Sequence, residues 1–148
     1  MGDTWLNYVP LDPHWRPRPE AAEQAADYLR GVFKDADEVV AEASDQMRFV
    51  DALELWESVA CPACGADFEA PWSDAIEVWE ASGFQRLALV APCCGAQTTL
   101  NDLHYTAPCA FGCFRLAIMN PHAEPSEAQD AEVAALIGAP LRKVWARL

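Results

Sequence analysis

The residues that could do chemistry are six cysteines, and four of them stand in two tight turns. The first turn is Cys61-Pro62-Ala63-Cys64-Gly65 and the second is Pro92-Cys93-Cys94-Gly95, with 28 residues between Cys64 and Cys93. Two cysteines on one turn facing two on another suit a zinc ion, which takes four ligands in a tetrahedron at Zn–S distances of about 2.3 Å. In the first turn the proline restricts the backbone. The glycine permits a positive φ, so that backbone amides can point at the sulfurs. The second turn departs from this pattern. Laid on the first, it has Ala91 where the first cysteine belongs, Cys94 matches the second, and Cys93 falls where zinc ribbons carry no ligand. The expected ligand set is Cys61, Cys64, Cys93 and Cys94. If Cys93 and Cys94 cannot both reach the metal, the fourth ligand comes from among His104, Cys109 and Cys113. Cys109 and Cys113 could build a second site with His104 or His122, but they lack the Pro-x-Cys-Gly flanks and read as structural or incidental thiols. Four thiolates leave no open coordination position, so the expected zinc is structural and not catalytic.

Little else in the chain suggests a reaction. It has no phosphate-binding glycine loop, no dinucleotide fingerprint, no G-x-S-x-G and no H-E-x-x-H. His14, His104 and His122 are scattered, and Asn101 to Tyr105 reads as a turn that satisfies its own backbone. An enzyme with a cleft between the N-terminal arm and the sheet stays open as an alternative. The net charge is −13, and residues 20–80 carry 16 acids against Arg30, Lys34 and Arg48, which accounts for all of it. That field repels nucleic-acid phosphates and favours basic partners. The bases of 141–148, Arg142, Lys143 and Arg147, form the only basic patch.

The elements that must position the cysteines can be read in order. At 148 residues the chain suits one domain spanning 1–148. No apolar run is long enough for a membrane span, and the first ten residues have no signal-peptide character. The expected location is the cytoplasm, where thiols stay reduced. Thr4 to Val9 reads as a strand, followed by an irregular arm holding Pro10, Pro13, Pro17 and Pro19. The apolar spacing of Ala22, Ala25, Ala26, Leu29 and Phe33 predicts a helix over 20–33. Strands are expected over 37–43, 46–51 and 55–60, the last leading into the first cysteine turn. A helix opens at Pro71 and ends at Gly83. A strand over 86–91 leads into the second turn, and the segment 97–100 leaves it. Residues 104–112 are ambiguous, and 114–119 reads as a strand. A third helix runs from Ser126 to Ile137 before Gly138, and 141–148 is a strand or a short helix. The chain has no internal repeat. The expected fold is α+β: an antiparallel or mixed sheet, about three helices, and an inserted zinc-ribbon-like knuckle pair.

Four features together resemble a family of small uncharacterised bacterial proteins: the Trp5–Pro10 strand, the C-P-x-C-G turn, the P-C-C-G turn, and the ending Pro140-Leu141-Arg142-Lys143-Val144-Trp145. The resemblance covers most of the chain and carries no established activity. It implies that Cys93 and Cys94 belong to the shared pattern and that Cys109 and Cys113 do not. Some members are labelled transporter ATPases, a label that the missing phosphate loop excludes here. The expected function is a small acidic zinc-binding module, non-enzymatic and immunity-like or regulatory, for a basic protein partner. A nucleic-acid-associated zinc ribbon is a second expectation.

Overall fold

The computed structural model describes residues 2–148; Met1, the first residue of the segment judged free of signal-peptide character, lies outside them. In chain order the elements are strand β1 (Thr4–Pro10), helix α1 (Pro19–Val32), strands β2 (Glu38–Val50) and β3 (Ser58–Ala60), helix α2 (Glu69–Ala81), strands β4 (Ala88–Val90) and β5 (Gln97–Thr99), a 3-10 turn (Leu100–Asp102), strands β6 (His104–Thr106) and β7 (Ala110–Met119), helix α3 (Glu127–Ile137) and strand β8 (Leu141–Arg147). The class is α+β. A four-stranded sheet has the order β2-β7-β1-β8, and two small ladders pair β3 with β6 and β4 with β5. Every one of these pairings is antiparallel.

One face of the four-stranded sheet is buried under α1 and α3. Strand side chains alternate between faces, so Leu6 and Tyr8 of β1 point the same way as Leu116 and Ile118 of β7. They meet Ala25, Ala26 and Leu29 of α1 and Val133 and Ile137 of α3 in one buried cluster. Full burial of a large aliphatic side chain stabilises by about 1.5–3 kcal/mol, so this layer carries much of the fold. Helix α3 is set by local chemistry at both ends. The Ser126 hydroxyl accepts from the Gln129 amide, the Gln129 side chain accepts from the Ser126 amide, and Gly138 closes the helix at φ 85°. Tyr8 of β1 donates to Asp130 of α3 at 2.7 Å, tying sheet to helix.

A second apolar cluster holds the cysteine turns. Val59, Phe68, Trp79, Leu100, Tyr105 and Phe111 are buried together. Trp79 stands edge-on to Phe111 and to Phe84 at ring distances of 5.0 and 5.1 Å. Its indole N–H has no acceptor among the described residues. β3, β4, β5 and β6 are three residues each. Ladders this short do not hold themselves together in water, so this half of the molecule depends on its aromatic core and on what joins the two turns.

Several sequence expectations are corrected. The strands read over 37–43 and 46–51 are one strand, β2, whose register against β7 slips between Ala43 and Arg48. A bulge absorbs Ser44 to Met47 without breaking the strand. The strand expected over 55–60 is cut to β3, because Ala52 to Trp56 form a tight turn with Leu53 at φ 56°. Helix α2 starts at Glu69, ahead of the expected Pro71, a first-turn place where the missing N–H costs nothing. The ambiguous stretch supplies β6 and the start of β7, and the C-terminal stretch is a strand, β8.

Asn101 is not a self-contained turn residue. It is 3 % exposed, its amide donates to the Leu11 carbonyl, and its Oδ1 accepts from the Phe111 amide at 2.8 Å. Arg142 reaches the carbonyls of Asn101 and Cys109, both at 2.9 Å. This buried group knits the Pro-rich arm, β7 and β8 together. At the far end of the sheet, Leu148 donates to the Asp3 carbonyl, so β1 and β8 are paired to their tips.

Candidate metal centre

The two cysteine turns have the same backbone geometry. In the first, the Cys61 amide donates to the Ala66 carbonyl at 2.8 Å and the Gly65 amide to the Cys61 carbonyl at 2.9 Å. In the second, the Ala91 amide donates to the Ala96 carbonyl at 2.8 Å and the Gly95 amide to the Ala91 carbonyl at 2.8 Å. Gly65 and Gly95 sit at φ 78° and 75°, a backbone state that glycine adopts without strain. The flanking pairs agree as well, with Ala60 opposite Asp67 and Val90 opposite Gln97. The reading that the chain has no internal repeat is therefore corrected at this local scale. Pro-x-Cys-Gly-Ala recurs at 62–66 and 92–96 as one structural unit.

Superposition of the units in sequence makes Ala91 the counterpart of Cys61. Both are buried. The missing sulfur is replaced from within the same turn, by Cys93. Its Sγ lies 3.4 Å from Cys64 Sγ, while Cys61 Sγ and Cys94 Sγ are 3.8 Å apart. All four sulfurs lie within 4.8 Å of one another, a cluster that could hold a metal ion. A tetrahedron of sulfurs at zinc distance has edges of about 3.8 Å, which these separations bracket.

Electrostatics divides the cluster. The Cys64 amide, followed by that of Ala63, directs an N–H at Cys61 and brings its thiol down to about 7. The hydrogen bond to Cys64, with desolvation added, pushes the Cys93 thiol up to about 12. Four thiols this close cannot all ionise without a cation among them.

His104, Cys109 and Cys113 stand outside the four-sulfur group. His104 is exposed on β6. Cys109 is buried beside Asp51 and the Ala107 carbonyl, and its burial pushes the thiol up to about 11. Cys113 is buried on β7. The cleft expected beside the Pro-rich arm is a cavity of about 410 Å³ between Leu11, Pro13, His14 and the β4–β5 ladder. Two of its polar side chains are already engaged: Asp102 accepts from Thr99 at 2.7 Å and Asn101 holds Leu11, while His14, Gln85 and Arg86 also line it. Sequence reading did not find a larger cavity, of about 690 Å³, on the sheet face opposite the helices. Its Asn7, Arg48 and Arg115 carry no motif, and only strand pairing brings them together.

No family model, curated protein or solved structure matches this chain. No helix among the described residues is long and apolar enough to cross a membrane.

Proposed function

We propose that the protein is a small non-enzymatic binding module of the cytoplasm, stapled by structural zinc on Cys61, Cys64, Cys93 and Cys94, whose acidic surface receives a basic protein partner. The observation that carries the zinc is the four-sulfur cluster on two equivalent turns. Soft thiolates in a tetrahedron select zinc or iron over harder cations, and the C-P-x-C-G residues of the first turn support the zinc reading. With four sulfurs bound, no site for water or substrate stays open, so the metal contributes to folding and not to a reaction.

The partner reading rests on where the acids lie. Glu69, Asp74, Glu77 and Glu80 are all exposed on α2, and none forms an ion pair among the described residues. Val78, half exposed between them, offers an apolar contact. The nucleic-acid reading is weakened by the same accounting. Arg142 is spent on backbone carbonyls, and Lys143 pairs with Asp130 at 2.7 Å.

Metal analysis of the purified protein tests the staple: one zinc per chain is expected, and iron or no metal would overturn it. Affinity capture at low salt tests the partner. A basic protein should be retained, be released as salt rises, and be lost when Glu69, Asp74, Glu77 and Glu80 are changed to their amides. Retention indifferent to salt and to these changes would sink the reading.

A further inference from the structure

On the sheet face opposite α1 and α3, residues from β2, β7, β1 and β8 line the cavity of about 690 Å³. That volume falls in the range of sites for small organic ligands, which are mostly apolar with a few fixed polar groups. The walls here are mixed, nearly as polar as apolar. Trp5, Phe49, Val50 and Ala146 supply apolar surface.

Two guanidinium groups reach the same space. Arg115 is held rigidly: its Nε donates to Glu42 at 2.7 Å and its Nη1 to Asn7 Oδ1 at 3.1 Å. Asn7 is 2 % exposed, and its own amide donates to the Val144 carbonyl at 3.3 Å. A buried asparagine is costly unless it is bonded, and here the bonds spend that cost on fixing the direction of an arginine. Arg48 is less engaged. Its Nε donates to Ser44 at 3.2 Å, and its two Nη groups meet no protein acceptor among the described residues. The β2 bulge sets this geometry, because Glu42 stands opposite Arg115 before the register slip and Arg48 stands opposite Gly112 after it.

Glu42 already offsets Arg115, while Asp51, also in the lining, is met by an uncharged thiol, that of Cys109, so the lining is formally neutral. Selection for a carboxylate therefore rests on the fork of Arg48, whose Nη donors meet no acceptor among the described residues. In a chain of net charge −13 an uncommitted guanidinium beside an apolar hollow has no solubility role to explain it. Planar carboxylates match the arginine fork in both spacing and plane.

We propose that this cavity binds a small organic monocarboxylate with an apolar body, its carboxylate on Arg48 with Arg115 alongside and its body against Trp5, Phe49 and Val50. The site needs neither the metal nor the acidic face of α2, so it stands or falls apart from them.

Titration calorimetry with octanoate and with indole-3-acetate, each compared with its uncharged amide, tests this. At least one acid should bind saturably at one per chain, at least about tenfold more tightly than its amide, with Kd under about 1 mM. Arg48→Gln should weaken that acid at least about tenfold, and its far-UV spectrum should be unchanged, since Arg48 is exposed and bonds only to Ser44. Arg115→Lys, which keeps the charge and loses the fork, should also weaken binding. The proposal is overturned if neither acid saturates, if acids and amides bind alike, or if Arg48→Gln binds as well as the parent.

Discussion

Cys93 shows how one residue can bring a sulfur into a cluster without occupying the position that lost it. Ala91 keeps the backbone of the turn, and the sulfur arrives two residues later from the exposed side, 3.4 Å from Cys64. Cys93→Ser should therefore abolish stoichiometric metal, whereas Cys109→Ser should keep it, as read by elemental analysis of both proteins. Retained metal in the first would remove Cys93 from the ligand set. Metal binding also competes with protons. Acid refills the thiols, beginning with Cys93, which holds its proton to about 12, and reaching Cys61 near 7. The apparent metal affinity should accordingly fall as pH drops from 8 to 6, by at least about tenfold per unit, in competition with a chromogenic chelator. A flat profile would mean that thiolates are not the ligands. The first turn was legible from its residue types alone, since C-P-x-C-G states the whole geometry. Cys93 was legible only as an option. Whether a sulfur at that place reaches the cluster depends on the partner turn across from it, and sequence spacing does not contain that distance.

Among the elements, the two apolar clusters would differ in how much they need the proposed metal. The layer of β1, β7, α1 and α3 rests on long ladders and buried aliphatics. The three-residue strands around the cysteines do not. Removing the metal should cost hydrogen-exchange protection over residues 58–106 while β1, β8 and the centre of β7 keep theirs. Equal loss everywhere would show a single cooperative unit instead. Helix α3 carries its own stability test. Ser126→Ala should lower unfolding free energy by about 1 kcal/mol in urea melts, through loss of the capping box. Helical spans were legible because their apolar spacing and end signals are local. The strands expected over 37–43 and 46–51 leave out Ser44 and Asp45, whose polar side chains interrupt the alternation. A bulged strand tolerates that interruption, since the ladder resumes from Arg48. The cavity wall, built at that bulge, was illegible for the same reason.

For the molecule as a whole, charge and connectivity set the behaviour. The −13 excess should oppose compactness by self-repulsion. Raising salt from about 0.01 M to about 0.1 M shortens the Debye length from about 30 Å to about 10 Å and should raise the melting temperature. A melting temperature that falls over this range would mean that ion pairs outweigh repulsion. The strand order β2-β7-β1-β8 was out of reach for sequence reading. Its pairings join residues such as Trp5 with Met119 and Leu6 with Trp145, and nothing local marks such distant partners. The pairing of β1 with β8 has a mechanical side. The ladder starts where Leu148 meets Asp3 and runs inward, Thr4 against Arg147 and then Trp5 against Ala146. A force that draws Asp3 and Leu148 apart thus falls on one rung at a time instead of shearing the whole ladder at once. In an optical trap held at those two residues, the chain should yield gradually and at low load, like a zipper. Attachment at Pro10 and Arg147 instead would load the same ladder along its length and make it resist.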